Sequence, residues 1–235
     1  MNKFMVKYPA VLKWLYPRRL ARLKESQVIS ITFDDGPIPE ITPWVLELLK
    51  KYNAKATFFC IGDNVRKKPE LFRRIISEGH SIGNHTHNHL NGWKTSTSAY
   101  MENILQAEEI MNAEVKLEKG KSKRGIAKLG EKETTNTRLQ TPNYKLFRPP
   151  YGKIKNSQAR ELSKSGYKIV MWDVISYDFN KNLSQEDCLQ NVLRHATEGS
   201  IIVFHDSTKA FKNLETVLPQ VLEYYSRKGY KFRRL

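Results

Sequence analysis

Polar residues able to do chemistry fall at the ends of apolar runs. Asp34 and Asp35 close the run VISITF; His85, His87 and His89 follow a third run; Arg148 ends a fourth; Asp173 and Asp178 follow a fifth; and His205 ends IIVFH. His85 and His89 are four apart, so one helical turn would aim both imidazoles the same way and His87 elsewhere. A carboxylate from another strand end would complete a His₂Asp set with one position open to water, the arrangement of catalytic rather than structural zinc sites. Each signal alone is weak. An Asp-Gly-Pro is ordinarily a turn, a single histidine is ordinarily packed or solvated, and H-x-x-x-H recurs without metal. Gathered on neighbouring strand ends, they suggest a catalytic metal site rather than scattered surface charges. A metal held there would acidify water in its open position, and histidine, which titrates near neutrality, suits proton transfer beside it.

These residues need a frame to hold them. Segments 28–33, 56–61, 80–83, 145–148, 167–174 and 200–205 read as strands, and 230–232 as a closing or edge strand. Between them lie helical patterns: one N-capped by Thr42 with Pro43 at its first position, one from Pro69 to Gly79, and one over 98–112. Others start at Asn156, at Ser184 with Asp187 three residues on, and at Leu214. Strands alternating with helices indicate a parallel sheet with crossover helices, either a barrel or an open doubly wound sheet. Both place ligands at the carboxyl edge of the strands, where the polar residues gather. Residues 113–144, rich in Lys, Thr and Asn, break the rhythm and read as a basic insertion on the rim. The division expected is a basic N-terminal segment over 1–27 and one domain over 28–235.

With 235 residues and 40% hydrophobic residues the chain can bury a substantial core. No apolar run reaches the roughly 18 residues of a membrane span, and Lys7, Pro9 and Lys13 interrupt what would be the core of a secretory signal. The expected location is therefore cytoplasmic or at the cytoplasmic membrane face. A net charge of +16, concentrated in the N-terminal segment and in 116–132, suggests an anionic polysaccharide or membrane surface as partner. The basic runs lack interleaved aromatics, which argues against single-stranded nucleic acid. Cys60 and Cys188 are too few for a disulfide framework; Cys60 ends an apolar run and reads as a buried thiol, while pairing of the two is left open.

The sequence resembles the polysaccharide deacetylases, carbohydrate esterase family four, whose NodB homology domain carries five ordered motifs. Thr32-Phe33-Asp34-Asp35-Gly36-Pro37 matches the first, His85-Thr86-His87-Asn88-His89 the second, and Arg148-Pro149-Pro150-Tyr151-Gly152 the third. Trp172-Asp173-Val174-Ile175-Ser176-Tyr177-Asp178-Phe179 resembles the fourth with Phe179 for the usual tryptophan, and Val203-Phe204-His205 the fifth with Val203 for the usual leucine. The resemblance implies a distorted (β/α)₇-like barrel that removes N-acetyl or O-acyl groups from a carbohydrate. It implies that Asp35, His85 and His89 bind a divalent metal, zinc or alternatively cobalt. Asp34 matches the base acting on the metal-bound water, Arg148 its orienting partner, His205 the general acid and Asp178 the carboxylate that orients it. The backbone N–H of Tyr151 matches an oxyanion donor, and Phe179 and Val203 line the acyl pocket, whose volume these two substitutions change. Trp172 and Phe204 read as core, His80 and His195 as structural or surface residues, and Asp173 has no matching role.

Two other functions fit parts of this pattern. An amidohydrolase acting on a small non-sugar amide or imide would use the same groups. A non-catalytic metal- or glycan-binding module would be expected to lack the base or the acid, and both are present.

Overall fold

The computed structural model describes residues 5–129 and 145–235. Eight strands form the sheet: β1 (Val28–Asp34), β2 (Thr57–Cys60), β3 (Ser81–Asn84), β4 (Lys145–Phe147), β5 (Tyr167–Ile169), β6 (Val174–Ile175), β7 (Ile201–His205) and β8 (Lys231–Phe232). Their order is β5-β4-β3-β2-β1-β7-β6, every neighbouring pair is parallel, and β8 pairs with the start of β1. Eight α-helices accompany them among the described residues: α1 (Ala10–Leu15), α2 (Thr42–Lys51), α3 (Gly62–Lys67), α4 (Pro69–Ser77), α5 (Thr97–Leu129), α6 (Asn156–Lys164), α7 (Gln185–Leu193) and α8 (Phe211–Arg227).

β1 is buried along its whole length, yet its residues alternate in kind. Ile29, Ile31 and Phe33 join the main core with Phe58, Ile202 and Phe204 and with Val45, Leu49, Phe72 and Leu218 of the helices. Ser30, Thr32 and Asp34 must point the other way, because successive strand side chains face opposite sides. The helix-facing set supplies stability: truncating a side chain such as Phe33, stacked 5.0 Å from Phe58, would cost about 3–5 kcal/mol. The opposite set supplies a polar interior that ends at Asp34.

The segment expected as one strand over 167–174 is two. β5 lies at one end of the sheet order and β6 at the other, with 170–173 between them. Six interstrand steps of about 4.8 Å would separate the ends of a flat sheet by roughly 29 Å, whereas this link spans at most about 18 Å. The sheet must therefore curl until its ends approach, which selects the distorted barrel over the open sheet. The N-terminal segment packs into the seam. Leu20 N–H donates to Ile169 O at 2.9 Å, Met171 N–H to Leu20 O at 2.7 Å, and Leu23 N–H to Gly199 O at 2.7 Å.

Asp173, the strand-end residue without a matching role, fastens that segment. Its buried carboxylate accepts from Lys13 at 2.6 Å, Ser200 at 2.7 Å and Arg22 at 3.3 Å, with Lys7 at 3.6 Å. Burial would raise its pKa, but these donors lower it.

Other expectations shift. Thr42 lies inside α2, after the N-cap Ile41, and Asn156 is the first helical residue after Lys155. Ser184 does cap α7, its Oγ accepting from Asp187 N–H at 3.0 Å. α5 runs on past residue 112 to Leu129, into the segment read as an insertion; residues 130–144 lie outside the described residues. α1 and α3 were not anticipated. Cys60 and Cys188 are buried free thiols. No helix of the described residues is long and apolar enough to cross a membrane.

Candidate active site

Strand ends β1 and β3 bring three ligand atoms together. The Nε2 atoms of His85 and His89 lie 3.7 and 3.3 Å from Oδ1 of Asp35, and the three groups offer ligand atoms all within 4.8 Å of one another. The two histidines do not share a helical turn, as their spacing suggested. They sit in a loop after β3 in which Thr86 (φ 65°) and His89 (φ 56°) take left-handed conformations, and Asp35 does so at φ 83°. His87 does point elsewhere: a Cβ added at Gly62 of α3 would meet its Nδ1 at 2.7 Å.

The donor set fits a cation. His85 Nδ1 donates to Arg148 O at 2.7 Å, which leaves the Nε2 lone pair facing Asp35. Burial lowers the His85 pKa to about 4, so the ring is neutral at neutral pH. His89 Nδ1 contacts the Tyr151 hydroxyl at 3.1 Å, again leaving Nε2 inward. Asp35 Oδ1 is buried and has no hydrogen-bond partner among the described residues. Burial alone would raise the Asp35 pKa, yet His89, His205 and His85 hold it well below the usual carboxylate range. Two nitrogen lone pairs converging on a bare carboxylate oxygen repel one another unless a positive charge lies between them, and two imidazoles with one carboxylate are ligands a divalent transition metal accepts.

Two paired acid–base groups flank this cluster. Asp34 Oδ1 accepts from Arg148 Nη1 at 2.7 Å, and the same nitrogen reaches Thr32 Oγ1 at 2.7 Å. Arg148 Nη2 donates to Met171 O at 2.9 Å, and its guanidinium lies 4.1 Å from the Phe59 ring centroid, so the side chain is locked inside the barrel. On β7, His205 Nδ1 meets Asp178 Oδ1 at 2.8 Å, and His205 N–H donates to Asp178 Oδ2 at 2.8 Å. Burial would lower the His205 pKa, but Asp178, with Asp35 and Asp34 beyond it, raises it to about 9. The ring is thus a charged donor at neutral pH, with Nε2 free of its carboxylate partner.

The remaining site residues surround these pairs. The Phe179 ring packs edge-on to His205 with centroids 4.7 Å apart, and Val203 is buried two residues before it on β7. Tyr151, at φ 59°, is 61% exposed, and its N–H donates to no acceptor among the described residues. Trp172 packs 5.4 Å from Tyr8, and Phe204 is core. His80 is buried, its Nδ1 accepting from Ala56 N–H at 3.1 Å, and His195 Nδ1 caps Asn191 O at 3.0 Å.

Sequence reading missed Asp206 and Asn64. Asp206 accepts from Gly36 N–H at 3.0 Å and from the Thr42 hydroxyl at 2.6 Å, pinning the loop that carries Asp35. Burial, with the charge of Asp35, raises its carboxyl to about 8. It directly follows His205 at a strand end, the positional signal that identified the others. Asn64 donates from Nδ2 to Asp35 O at 2.7 Å and carries no such signal.

The family model described as polysaccharide deacetylase matches residues 22–170. A peptidoglycan-N-acetylglucosamine deacetylase of Bacillus cereus is 34% identical over 198 residues, which are 82% of this chain and 62% of that protein. The chain thus spans less than two thirds of this relative. A second B. cereus protein of the same name is 32% identical over 88% of this chain and 85% of its own length. The crystal structure of the Bc1960 peptidoglycan N-acetylglucosamine deacetylase superposes with a TM-score of 0.77 at 31% identity, covering 95% of this chain and 94% of that one.

Proposed function

The chain belongs to the polysaccharide deacetylase family, and we propose that it hydrolyses the N-acetyl group of N-acetylglucosamine residues in a glycan, peptidoglycan being the substrate its relatives' names favour. The observation that carries this reading is the arrangement of Asp35, His85 and His89 around a gap that calls for a cation, between an arginine-held carboxylate and a carboxylate-held imidazole.

Asp35, His85 and His89 would hold the metal, zinc by donor type with cobalt as an alternative. Bound there, it supplies Lewis acidity toward the acyl oxygen and the attacking water. Asp34 takes the proton of that water, its other oxygen free because Arg148 grips only Oδ1. Arg148 fixes the direction of the carboxylate through its further bonds to Thr32 and Met171. The unengaged N–H of Tyr151 donates to the developing oxyanion, an interaction worth about 3–4 kcal/mol when well aimed. His205, charged and turned by Asp178, delivers a proton from Nε2 to the departing amine. Phe179 and Val203 give the acyl methyl an apolar wall.

Acetate release from N-acetylglucosamine oligomers and from peptidoglycan, after chelation and after adding back zinc or cobalt, tests the reading. Turnover should require metal, and Asp34→Asn and His205→Ala should each lower kcat by about 10²–10⁴. Metal-loaded variants that bind substrate and turn it over at the parent rate would overturn it.

A further inference from the structure

α1 is an amphiphilic element whose outer face has no protein partner among the described residues. It buries none of its residues, and Val11, Trp14 and Leu15 are 58%, 77% and 51% exposed, beside Met5 at 59%. The helix is nonetheless fixed in place. Lys13 reaches back to Asp173, Tyr8 is buried, and Tyr8 N–H donates to Asp173 O at 3.1 Å. A rigid mount that holds an exposed tryptophan outward needs an explanation, because solvated loops do not require one.

Next to α1 lies a cavity of about 720 Å³ between the turn that follows it and α6, lined by Leu15, Tyr16, Arg18, Arg19, Arg160 and Lys164. Arg19 lies 3.8 Å over the Tyr16 ring, and Lys164 pairs with Glu161 at 3.0 Å. Among the described residues, none of the three arginines has a carboxylate within ion-pair distance, although the chain pairs Arg22, Arg66, Arg73, Arg74, Arg148, Arg227 and Arg233 elsewhere. Three unneutralised guanidiniums around one concavity repel each other, and their planar forks match phosphate oxygens. Basic groups alone would suit any polyanion. Basic groups bordering an exposed Trp and aliphatic side chains suit an anionic surface with an apolar interior.

We propose that α1 and the arginine-lined cavity form a docking site for the headgroups of anionic phospholipid in a membrane surface. Val11, Trp14 and Leu15 enter the headgroup region while Arg18, Arg19 and Arg160 take lipid phosphates, and the net charge of +16 draws the chain to the surface. This docking is independent of the catalytic assignment and would hold whatever the substrate.

The test is sedimentation of the full chain with vesicles of phosphatidylcholine alone and of phosphatidylcholine with phosphatidylglycerol at equal weight. Binding should need phosphatidylglycerol, weaken with salt and shift tryptophan emission to the blue. Each basic side chain near such a surface contributes roughly fivefold, so Arg18→Ala/Arg19→Ala/Arg160→Ala should weaken binding about a hundredfold. Trp14→Ser/Leu15→Ser should lose the emission shift, and both variants should keep the parent's melting temperature and turnover of a soluble oligosaccharide. Equal affinity for the two vesicles, or an arginine variant that binds like the parent, would overturn the proposal. So would inorganic pyrophosphate bound through these arginines without vesicle binding, or self-association abolished by Trp14→Ser without it.

Discussion

Replacing Asp178 with asparagine isolates its control of His205, the proposed general acid. Asp178 receives two hydrogen bonds from His205, from the ring and from the backbone, each 2.8 Å long. An asparagine has one oxygen to accept the backbone N–H, which leaves its amide N–H₂ against Nδ1 and opposes a proton there. The burial that lowers the His205 pKa remains, as does the weaker pull of Asp35 and Asp34, while the carboxylate that does most to raise it to about 9 is gone, so the variant should titrate near the ordinary value of about 6.5. At pH 8 the protonated fraction then falls from about nine-tenths to about 3%, a loss of roughly thirtyfold or more, about 2 kcal/mol in the barrier. At pH 6 both rings are largely protonated and the gap closes. Single-turnover acetate release from pH 6 to 8 checks this: the ratio of parent to variant rate should shrink at least tenfold on acidification. A ratio constant across that range would refute the role of Asp178 in charging His205.

His80 should set the acid limit of stability. Its folded pKa, lowered by burial to about 4, lies below the unfolded value of about 6.5, so its contribution is full above pH 6.5 and is lost as pH falls through 4. Urea titrations of parent and His80→Gln should therefore converge by about 2 kcal/mol between pH 7 and 4.5, and a gap independent of pH would exclude the histidine as the source. For Asp206, calorimetric zinc titration should find Asp206→Ala at least tenfold weaker, as expected when an outer partner of a metal ligand's loop is removed, with Asp206→Asn close to the parent because its amide can still accept from Gly36 and bond to Thr42. Equal zinc affinity in the alanine variant would show that the loop needs no such pin.

The strands and the chemical residues were legible because both have local signatures. The apolar run of β1, the capping pair Ser184 and Asp187, and the motif residues all announce themselves within a few positions. What was not legible depends on distant partners. The run 167–174 looks like one strand because apolar content does not record that its halves pair with β4 and β7 on opposite ends of the sheet. Asp173 gains its meaning as a fastening point from Lys7, Lys13 and Arg22, which lie more than about 150 residues away in the chain. The four-residue spacing of His85 and His89 suggested a helical turn, but convergence is achieved instead by left-handed residues in a loop, a geometry that residue type alone does not predict for Thr or His.

That loop geometry needs an external cause. Asp35, Thr86, His89, Tyr151 and Tyr177 all sit at positive φ, each carrying or adjoining a site group, and non-glycine residues there are strained by about 1–3 kcal/mol. Such strain persists only when surrounding bonds overdetermine the backbone. The start of α3, an element with no chemical residue of its own, supplies those bonds for the metal loops. Ile61 N–H donates to Gly36 O at 3.0 Å, Gly62 N–H to Thr86 O at 2.9 Å and Asp63 N–H to His87 O at 3.1 Å, while the Asn64 side chain donates to Asp35 O at 2.7 Å. The first amides of a helix have no partners inside it. Here they are spent on the carbonyls of the two loops that bear Asp35, His85 and His89, so one helix end sets the separation of ligands that come from different strands. Gly62 is required at that point because a Cβ would meet Ala107 and His87 at 2.7 Å, forcing α3 away from the loops it clamps. The proposed metal ligands are thus written in two motifs, but their preorganisation is written in a further stretch, 61–64, that no motif contains.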